Sequence, residues 1–169
     1  MRAVLKTLAQ CHAHHVLHRD VKPGNFLLVD ASEDARIKAI DFGLAVPYKE
    51  GDDLTELDMQ GTPWCAPSRH PARTPPGPRN LRPRGRGATA VAARCRFLAP
   101  EALSSQWSPK ADVWAAGVMA FQLLTGRLPF NDKRNPHTPV LSAVLRSIMT
   151  DTLDFERSYW QARRAERLL

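Results

Sequence analysis

The sequence lacks any hydrophobic stretch long enough to cross a bilayer. Its longest mostly apolar run, from Val113 to Leu124, is well short of the roughly 20 residues that a membrane-spanning helix needs. The amino terminus, Met1 to Lys6, becomes charged too quickly to resemble a secretory signal. These absences predict no membrane span and indicate an intracellular, cytoplasmic protein.

Cysteine is also scarce. The three cysteines are odd in number and form no Cys-x-x-Cys pair; they are Cys11, Cys65 and Cys95. This pattern predicts reduced thiols, which again favours an intracellular setting.

Acidic residues and lysine are absent from one segment, Cys65 to Arg96. Its 32 residues include eight arginines and six prolines. Without those arginines, 16 Lys and Arg remain against 17 Asp and Glu, so the formal net charge of +7 belongs to this segment alone. The basic balance of the whole chain is therefore no argument for a nucleic-acid partner, which we disfavour.

A chain of 169 residues is long enough for one domain with a real core. Apolar periodicity predicts a helix from Arg2 to His14 and another from Val140 to Met149. Ser108 and Pro109 open the clearest helix, which Gly126 ends, and its wide apolar surface includes Val113, Trp114, Gly117, Val118, Phe121 and Leu124. Two short apolar runs, Phe26 to Val29 and Ile37 to Ile40, predict a hairpin.

The most informative motif is His18-Arg19-Asp20-Val21-Lys22-Pro23-Gly24-Asn25, followed by Asp41-Phe42-Gly43. Phosphoryl transfer from ATP needs a carboxylate for the substrate hydroxyl and a cation near the moving phosphoryl group. It also needs an amide oxygen and a second carboxylate to hold Mg²⁺. Asp20, Lys22, Asn25 and Asp41 supply these four groups.

This motif closely resembles the catalytic loop and metal-binding motif of protein kinases. The resemblance implies an α+β fold: a mainly α-helical large lobe with a small β-ribbon at the active site, the small lobe being absent. Residues 1–169 would then be a partial protein kinase domain. The implied function is transfer of the ATP γ-phosphoryl group to Ser or Thr of protein substrates. Lys22 followed by Pro23 is typical of Ser/Thr kinases.

The resemblance also implies roles for the motif residues, with ATP and Mg²⁺ as cofactors. Asp20 would be the catalytic base, and Lys22 would contact the γ-phosphate of bound ATP. Asn25 and Asp41 would hold Mg²⁺ and so help to bind the nucleotide.

Four further residues receive structural or regulatory roles from the resemblance. Thr62 would contact the catalytic residues, and Asp112 would accept backbone N–H groups of the catalytic loop. Glu101 would form a buried ion pair with an arginine beyond Leu169. Arg19 would pair with an anion on the activation loop.

The identity of that anion stays open. A phosphate on Thr55 could order the loop against an arginine. Alternatively Asp52, Asp53 or Glu56 fills the same place without phosphorylation. The run Leu153-Asp154-Phe155 with Trp160 resembles calcium/calmodulin-type and calcium-dependent kinases in particular.

The arginine- and proline-rich segment, residues 65–96, interrupts the kinase-like sequence. Its composition cannot offset the entropy of ordering, so we expect disorder. Removing it joins Gly61-Thr62-Pro63-Trp64 to Phe97-Leu98-Ala99-Pro100-Glu101, an uninterrupted kinase-like substrate loop. We favour a translated intron or a recent insertion. A basic arm for nucleic acid or an acidic partner is the alternative, but it would lack the interleaved aromatics of a single-strand binder.

Several family features cannot be found in this sequence. No Gly-x-Gly-x-x-Gly loop and no Val-Ala-Ile-Lys strand precede the catalytic loop, although these groups cover and pair with the ATP phosphates. We therefore expect a truncated protein serine/threonine kinase domain. A catalytically inactive, kinase-like binding fragment is the alternative.

Overall fold

The computed structural model describes residues 1–31, 36–49, 51–52, 54, 95–104 and 106–153. These residues contain three α-helices: α1 (Arg2–Ala13), α2 (Pro109–Thr125) and α3 (Leu141–Thr150). They also contain four short strands: β1 (Val16–Leu17), β2 (Phe26–Leu28), β3 (Ile37–Ala39) and β4 (Val46–Pro47). Single 3₁₀ turns span Pro23–Asn25 and Glu101–Ser104. The kinase-like architecture expected from the motifs, mainly helical with small β-ribbons, fits this arrangement.

Helix α2 lies at the centre and has the predicted ends. Ser108 is the N-cap with extended backbone, Pro109 is the first helical residue, and Gly126 ends the helix at φ 70°. Glycine suits this left-handed position because it has no Cβ. The Ser108 side chain itself makes no capping hydrogen bond.

The buried face of α2 differs in part from the predicted one. Val118 and Phe121 are buried as expected, but Val113 is 53% exposed. Four smaller or more flexible residues line the buried side instead: Ala111, Ala115, Ala116 and Met119. Since almost every turn of α2 has apolar residues on several sides, periodicity alone does not decide which side faces the core.

Helix α1 packs against this face of α2. Val4 and Leu8 contact the cluster that contains Ala116 and Met119, and both are almost completely buried. Burying a Val or Leu side chain contributes about 1.5–3 kcal/mol. Val21 and Phe26 complete the cluster. Val21 and Phe26 lie on either side of Lys22 to Asn25, so this part of the loop between β1 and β2 is fixed to the α1–α2 core at both ends.

A second cluster joins α2 to α3. Val118 meets Val144 and Ile148 of α3 together with Phe130. The rings of Trp114 and Phe130 stack with their centroids 5.4 Å apart and their planes 12° from parallel.

Among the described residues, no helix combines the length and apolar character that crossing a membrane requires.

The predicted hairpin is confirmed. Strands β2 and β3 pair antiparallel, with Phe26 opposite Ala39 and Leu28 opposite Ile37. A second pair was not predicted: β1 and β4 are antiparallel, with Leu17 opposite Val46. Strands of two residues are too short to show periodicity, so the sequence contains no signal for them. This pair ties the chain after Asp41-Phe42-Gly43 back to the start of the catalytic loop.

The structure describes the carboxyl-terminal end of the 65–96 segment, which bears on the predicted state of the cysteines and on the predicted boundary of the segment. Cys95 is fully buried and disulfide-bonded, whereas Cys11 is a free thiol. The prediction of reduced thiols therefore holds for Cys11 and is wrong for Cys95. Leu98 N–H donates to the Cys95 carbonyl at 3.1 Å, so the predicted boundary at Arg96 lies within the described chain. Residues 65–94 lie outside it, and their disorder stays a prediction.

Asp132 organises the turn that leads into α3. It is 4% exposed, and its carboxylate accepts the backbone N–H groups of Arg134, Asn135 and Val140 at 2.9, 3.2 and 3.1 Å. These donors, Val140 first, hold the pKa of Asp132 below its ordinary value. Val140 is the N-cap of α3, so the carboxylate fixes the start of that helix.

We predict that the Asp132 carboxylate stabilises the fold in a pH-dependent way. Its pKa is lower in the folded state than in the unfolded chain, where it is about 3.9. The stabilisation is therefore present above about pH 4 and lost as the pH falls through the folded pKa. Asp132→Asn should lower the free energy of unfolding at pH 7 and weaken its acid dependence, as measured by urea unfolding between pH 2 and 7.

Asp52→Asn is the control, because Asp52 is an exposed carboxylate that accepts one backbone hydrogen bond, from Lys49 at 2.6 Å. Equal effects of the two substitutions would contradict the prediction.

Candidate active site

Two of the predicted residues converge on a carboxylate oxygen of a third. Lys22 Nζ lies 2.6 Å from Asp20 Oδ2, and Asn25 Nδ2 donates to the same oxygen at 2.9 Å. Asn25 Nδ2 also donates to the Asp20 carbonyl at 2.7 Å. Asp20 and Asn25 are buried, while the Lys22 side chain is 31% exposed. The orientation of the Asp20 carboxylate is thus set by a cation and an amide.

The local chain explains this convergence. Pro23 restricts φ and begins a 3₁₀ turn, in which Asn25 N–H donates to the Lys22 carbonyl at 3.0 Å. The turn reverses the chain so that the Asn25 side chain returns to Asp20. Phe26 then enters the core as the first residue of β2, which holds the turn in place.

A buried carboxylate on α2 fixes the backbone before Asp20. Asp112 is 3% exposed, and its Oδ2 and Oδ1 accept the N–H groups of His18 and Arg19, each at 2.9 Å. This is the contact that the kinase resemblance implied for Asp112. The bonds join residues 94 and 93 positions apart in the chain. A charge-assisted hydrogen bond of this kind is roughly twice as strong as a neutral one.

His12 is a third donor to Asp112 that the sequence did not reveal. Its Nε2 lies 2.9 Å from Asp112 Oδ2, and its side chain is 18% exposed. The charge of Asp112 also affects the neighbouring Cys11 thiol. Burial, and then the charge of Asp112, raise the pKa of Cys11. A histidine at the end of an amphipathic helix has no sequence signal for a partner 100 positions away.

His18, the first residue of the catalytic-loop motif, lies close to two aromatic rings. It is fully buried, and its ring centroid is 5.9 Å from that of Phe26 and 5.0 Å from that of Phe42. Its Nδ1 accepts the Asp20 N–H at 3.4 Å. Phe42 therefore connects the Asp-Phe-Gly motif to the catalytic loop through His18.

Asp41 lies beside Asn25 at the end of the hairpin. Ile40 N–H donates to the Asn25 carbonyl at 3.0 Å, and Asp41 is the next residue. Asp41 Oδ1 accepts the Gly43 N–H at 2.9 Å. A Cβ at Gly43 would lie 3.1 Å from that same oxygen, so glycine allows the turn that orients the carboxylate.

Arg19 has unusual backbone geometry and an aromatic neighbour. Its φ is 63°, in the left-handed region that non-glycine residues rarely occupy. Its guanidinium carbon lies 4.3 Å from the ring centroid of Trp107, a residue that the sequence interpretation overlooked. Of its predicted anionic partners, Asp52 instead accepts the Lys49 N–H. The others, Asp53, Thr55 and Glu56, lie outside the described residues.

The remaining two predicted residues are not part of this cluster. Thr62 lies outside the described residues. Glu101 begins the second 3₁₀ turn and forms no ion pair with any other residue in the described part of the chain. Its predicted arginine partner was expected beyond Leu169, so that role stays a prediction.

Residues 1–71 and 79–168 match the family model described as the protein kinase domain. Calcium-dependent protein kinase 9 of Oryza sativa subsp. japonica is 33% identical over 159 residues, which are 94% of this chain and 21% of that protein. Calcium-dependent protein kinase 8 of Arabidopsis thaliana is 32% identical over 160 residues, 95% of this chain and 22% of that protein.

The chain thus spans about a fifth of the length of the curated relatives it matches. The match covers both the catalytic-loop motif and helix α2, which the structure joins through Asp112. The chain belongs to the protein kinase domain family.

Proposed function

We propose that this chain forms the large lobe of a protein serine/threonine kinase that transfers the γ-phosphoryl group of ATP to Ser or Thr of protein substrates. The observation that carries the proposal is the convergence of Lys22 and Asn25 on Asp20 Oδ2, at 2.6 and 2.9 Å. Phosphoryl transfer depends mainly on positioning and charge stabilisation. A preorganised group of this composition supplies both.

Asp20 is the proposed catalytic base. It receives the proton of the substrate hydroxyl as that oxygen attacks the γ-phosphorus and the bond from phosphorus to the β–γ bridging oxygen breaks. Because two donors already orient the carboxylate, little reorganisation is needed when substrate binds. Lys22, whose side chain is partly exposed beside Asp20, would contact the γ-phosphate and offset its charge.

Asn25 and Asp41 are the proposed Mg²⁺ ligands. Asn25 donates through Nδ2, which leaves Oδ1 with no donor among the described residues. Asp41 uses Oδ1 for Gly43, so its second oxygen can bind a cation. Mg²⁺ usually takes one or two protein oxygens together with substrate phosphates, which suits this pair. The described residues contain no group of three or more His, Cys, Asp or Glu that could hold a metal. When bound, Mg²⁺ would neutralise phosphate charge.

The exposed apolar surface of the hairpin is the proposed support for the nucleotide base. Leu27 on β2 and Ile40, which follows β3, are each 51% exposed. Because side chains alternate along a strand, Leu27 faces away from the buried Phe26. Ligand sites are among the places where exposed apolar residues gather. This surface follows directly from the chain that carries Asn25 and Asp41, so a base lying on it would have its phosphates near both.

We predict that Asp20→Asn abolishes most of the activity without unfolding the protein. A general base contributes typically 10²–10⁴-fold, so phosphate transfer to a Ser/Thr peptide should fall by about that factor. Radiolabelled transfer from ATP measures the rate. Asp151→Asn is the matched control, since Asp151 is also hydrogen-bonded but accepts from Ser147 on α3. An Asp20→Asn protein as active as the control would rule out this role.

Binding of Mg·ATP gives a test that does not need turnover. At 100 times its dissociation constant, the ligand should stabilise the native protein by about 2.7 kcal/mol, which raises its melting temperature. Asp41→Asn should remove the dependence of this shift on Mg²⁺, whereas Asp52→Asn should retain it. A wild-type protein with no shift at any Mg·ATP concentration would instead support a non-catalytic fragment.

We also propose that residues 65–96 interrupt the substrate loop of the domain. Deleting them joins Trp64 to Phe97, and the KM for a peptide substrate should fall while the KM for ATP changes little. Replacing residues 66–94 with a glycine–serine stretch of equal length is the control, because it removes seven of the eight arginines but retains the interruption. If the replacement alone lowers the peptide KM as much as the deletion, charge rather than interruption is responsible.

A further inference from the structure

The residue before the proposed catalytic base has a backbone conformation that must be held by its surroundings. Arg19 has φ 63°, where an L-residue brings its Cβ close to neighbouring backbone atoms. Such conformations persist only where several contacts determine them, and they gather at functional sites. The torsions of Arg19 set the direction in which the Asp20 backbone leaves it.

Two of the contacts that restrain Arg19 come from the start of α2 and from the residues just before it. Asp112 Oδ1 accepts the Arg19 N–H at 2.9 Å. Trp107 lies two residues before Pro109, the first residue of α2, and its ring centroid is 4.3 Å from the guanidinium carbon. The carboxylate restrains the backbone of Arg19, while the indole restrains the far end of its side chain.

The indole suits this purpose. A guanidinium group stacks on an aromatic face through both its charge and its flat shape, and tryptophan gives the strongest cation–π attraction. Trp107 and Arg19 are both half-buried, so the contact is partly shielded from water, which strengthens it. Trp107, Arg19, Asp20 and Asp112 also line one small hollow beneath the loop.

We infer that Trp107 is a positioning residue of the kinase reaction: its indole holds the Arg19 guanidinium and thereby the left-handed backbone that aims Asp20. The inference rests on the proposed function. Trp107 itself need not contact ATP or the protein substrate. Its effect passes through Arg19 to the carboxylate that Lys22 and Asn25 contact.

Three substitutions test the inference. Trp107→Phe retains an aromatic face, whereas Trp107→Leu retains apolar volume without one. Trp114→Leu is the matched control, because Trp114 stacks on Phe130 in the α2–α3 cluster. All three are compared with the wild-type chain at a temperature where melting curves show each of them folded.

Trp107→Leu should lower kcat by about tenfold to a hundredfold with little change in the KM for ATP, since misplacement of a catalytic group by about 1 Å costs up to that factor. Trp107→Phe should restore most of the lost kcat, and Trp114→Leu should leave kcat near the wild-type value. The inference is overturned if Trp107→Leu has the wild-type kcat, if Phe rescues nothing, or if Trp114→Leu loses as much.

An NMR measurement separates failure of this inference from failure of the proposed function. In the wild-type protein the Arg19 side-chain protons lie over the indole and should be shifted upfield. Trp107→Leu should remove that shift and move the Asp20 and Lys22 amide resonances, while Trp107→Phe should retain part of it. If the wild-type protein transfers no phosphate, the proposed function fails, and unmoved Asp20 and Lys22 resonances in Trp107→Leu would then overturn the positioning role as well.

Discussion

A buried carboxylate needs hydrogen-bond donors, because an ion removed from water without partners is very costly. Asp112 obtains three, from His12 in α1 and from the backbone of His18 and Arg19. These donors come from both ends of the segment that leads into the catalytic loop. Hydrogen bonds to this one carboxylate on α2 therefore hold α1, the catalytic loop and α2 together. The Asp20 cluster is built outward from there.

The arrangement separates two kinds of order. Lys22 and Asn25 reach Asp20 through a single tight turn, so their contacts depend on neighbouring residues in the chain. The position of the whole turn depends instead on distant residues, since Val21 and Phe26 pack with α1 and α2 in one core cluster. Local chemistry thus determines which groups meet, and the core determines where they meet.

This division explains how much could be predicted from the sequence. The motif residues, the hairpin and the ends of α2 have local signals: residue types in fixed order, apolar runs, Pro109 and Gly126. The contacts of His12 and Trp107 have none, because each depends on a partner about 90 or more positions away. The burial of Val113 was predicted wrongly for a related reason. When a helix has apolar residues on most sides, packing against neighbouring elements, rather than the apolar pattern, determines which side is buried. Asp132 was overlooked because the sequence of a polar turn does not indicate which backbone N–H groups will point at a carboxylate.

The anchor of the catalytic loop arrives late in the chain. His18 and Asp112 are 94 positions apart. During synthesis, the backbone N–H groups of the catalytic loop therefore cannot bond to Asp112 until the intervening residues have been made. The 32-residue stretch from Cys65 to Arg96 lies between them. Loop-closure entropy grows only with the logarithm of length, and lengthening this separation by those residues costs about 0.4 kcal/mol. Chain entropy would therefore exert almost no pressure against such an insertion, and any selection against it would have to act through substrate binding or through the time that the unfinished chain stays exposed.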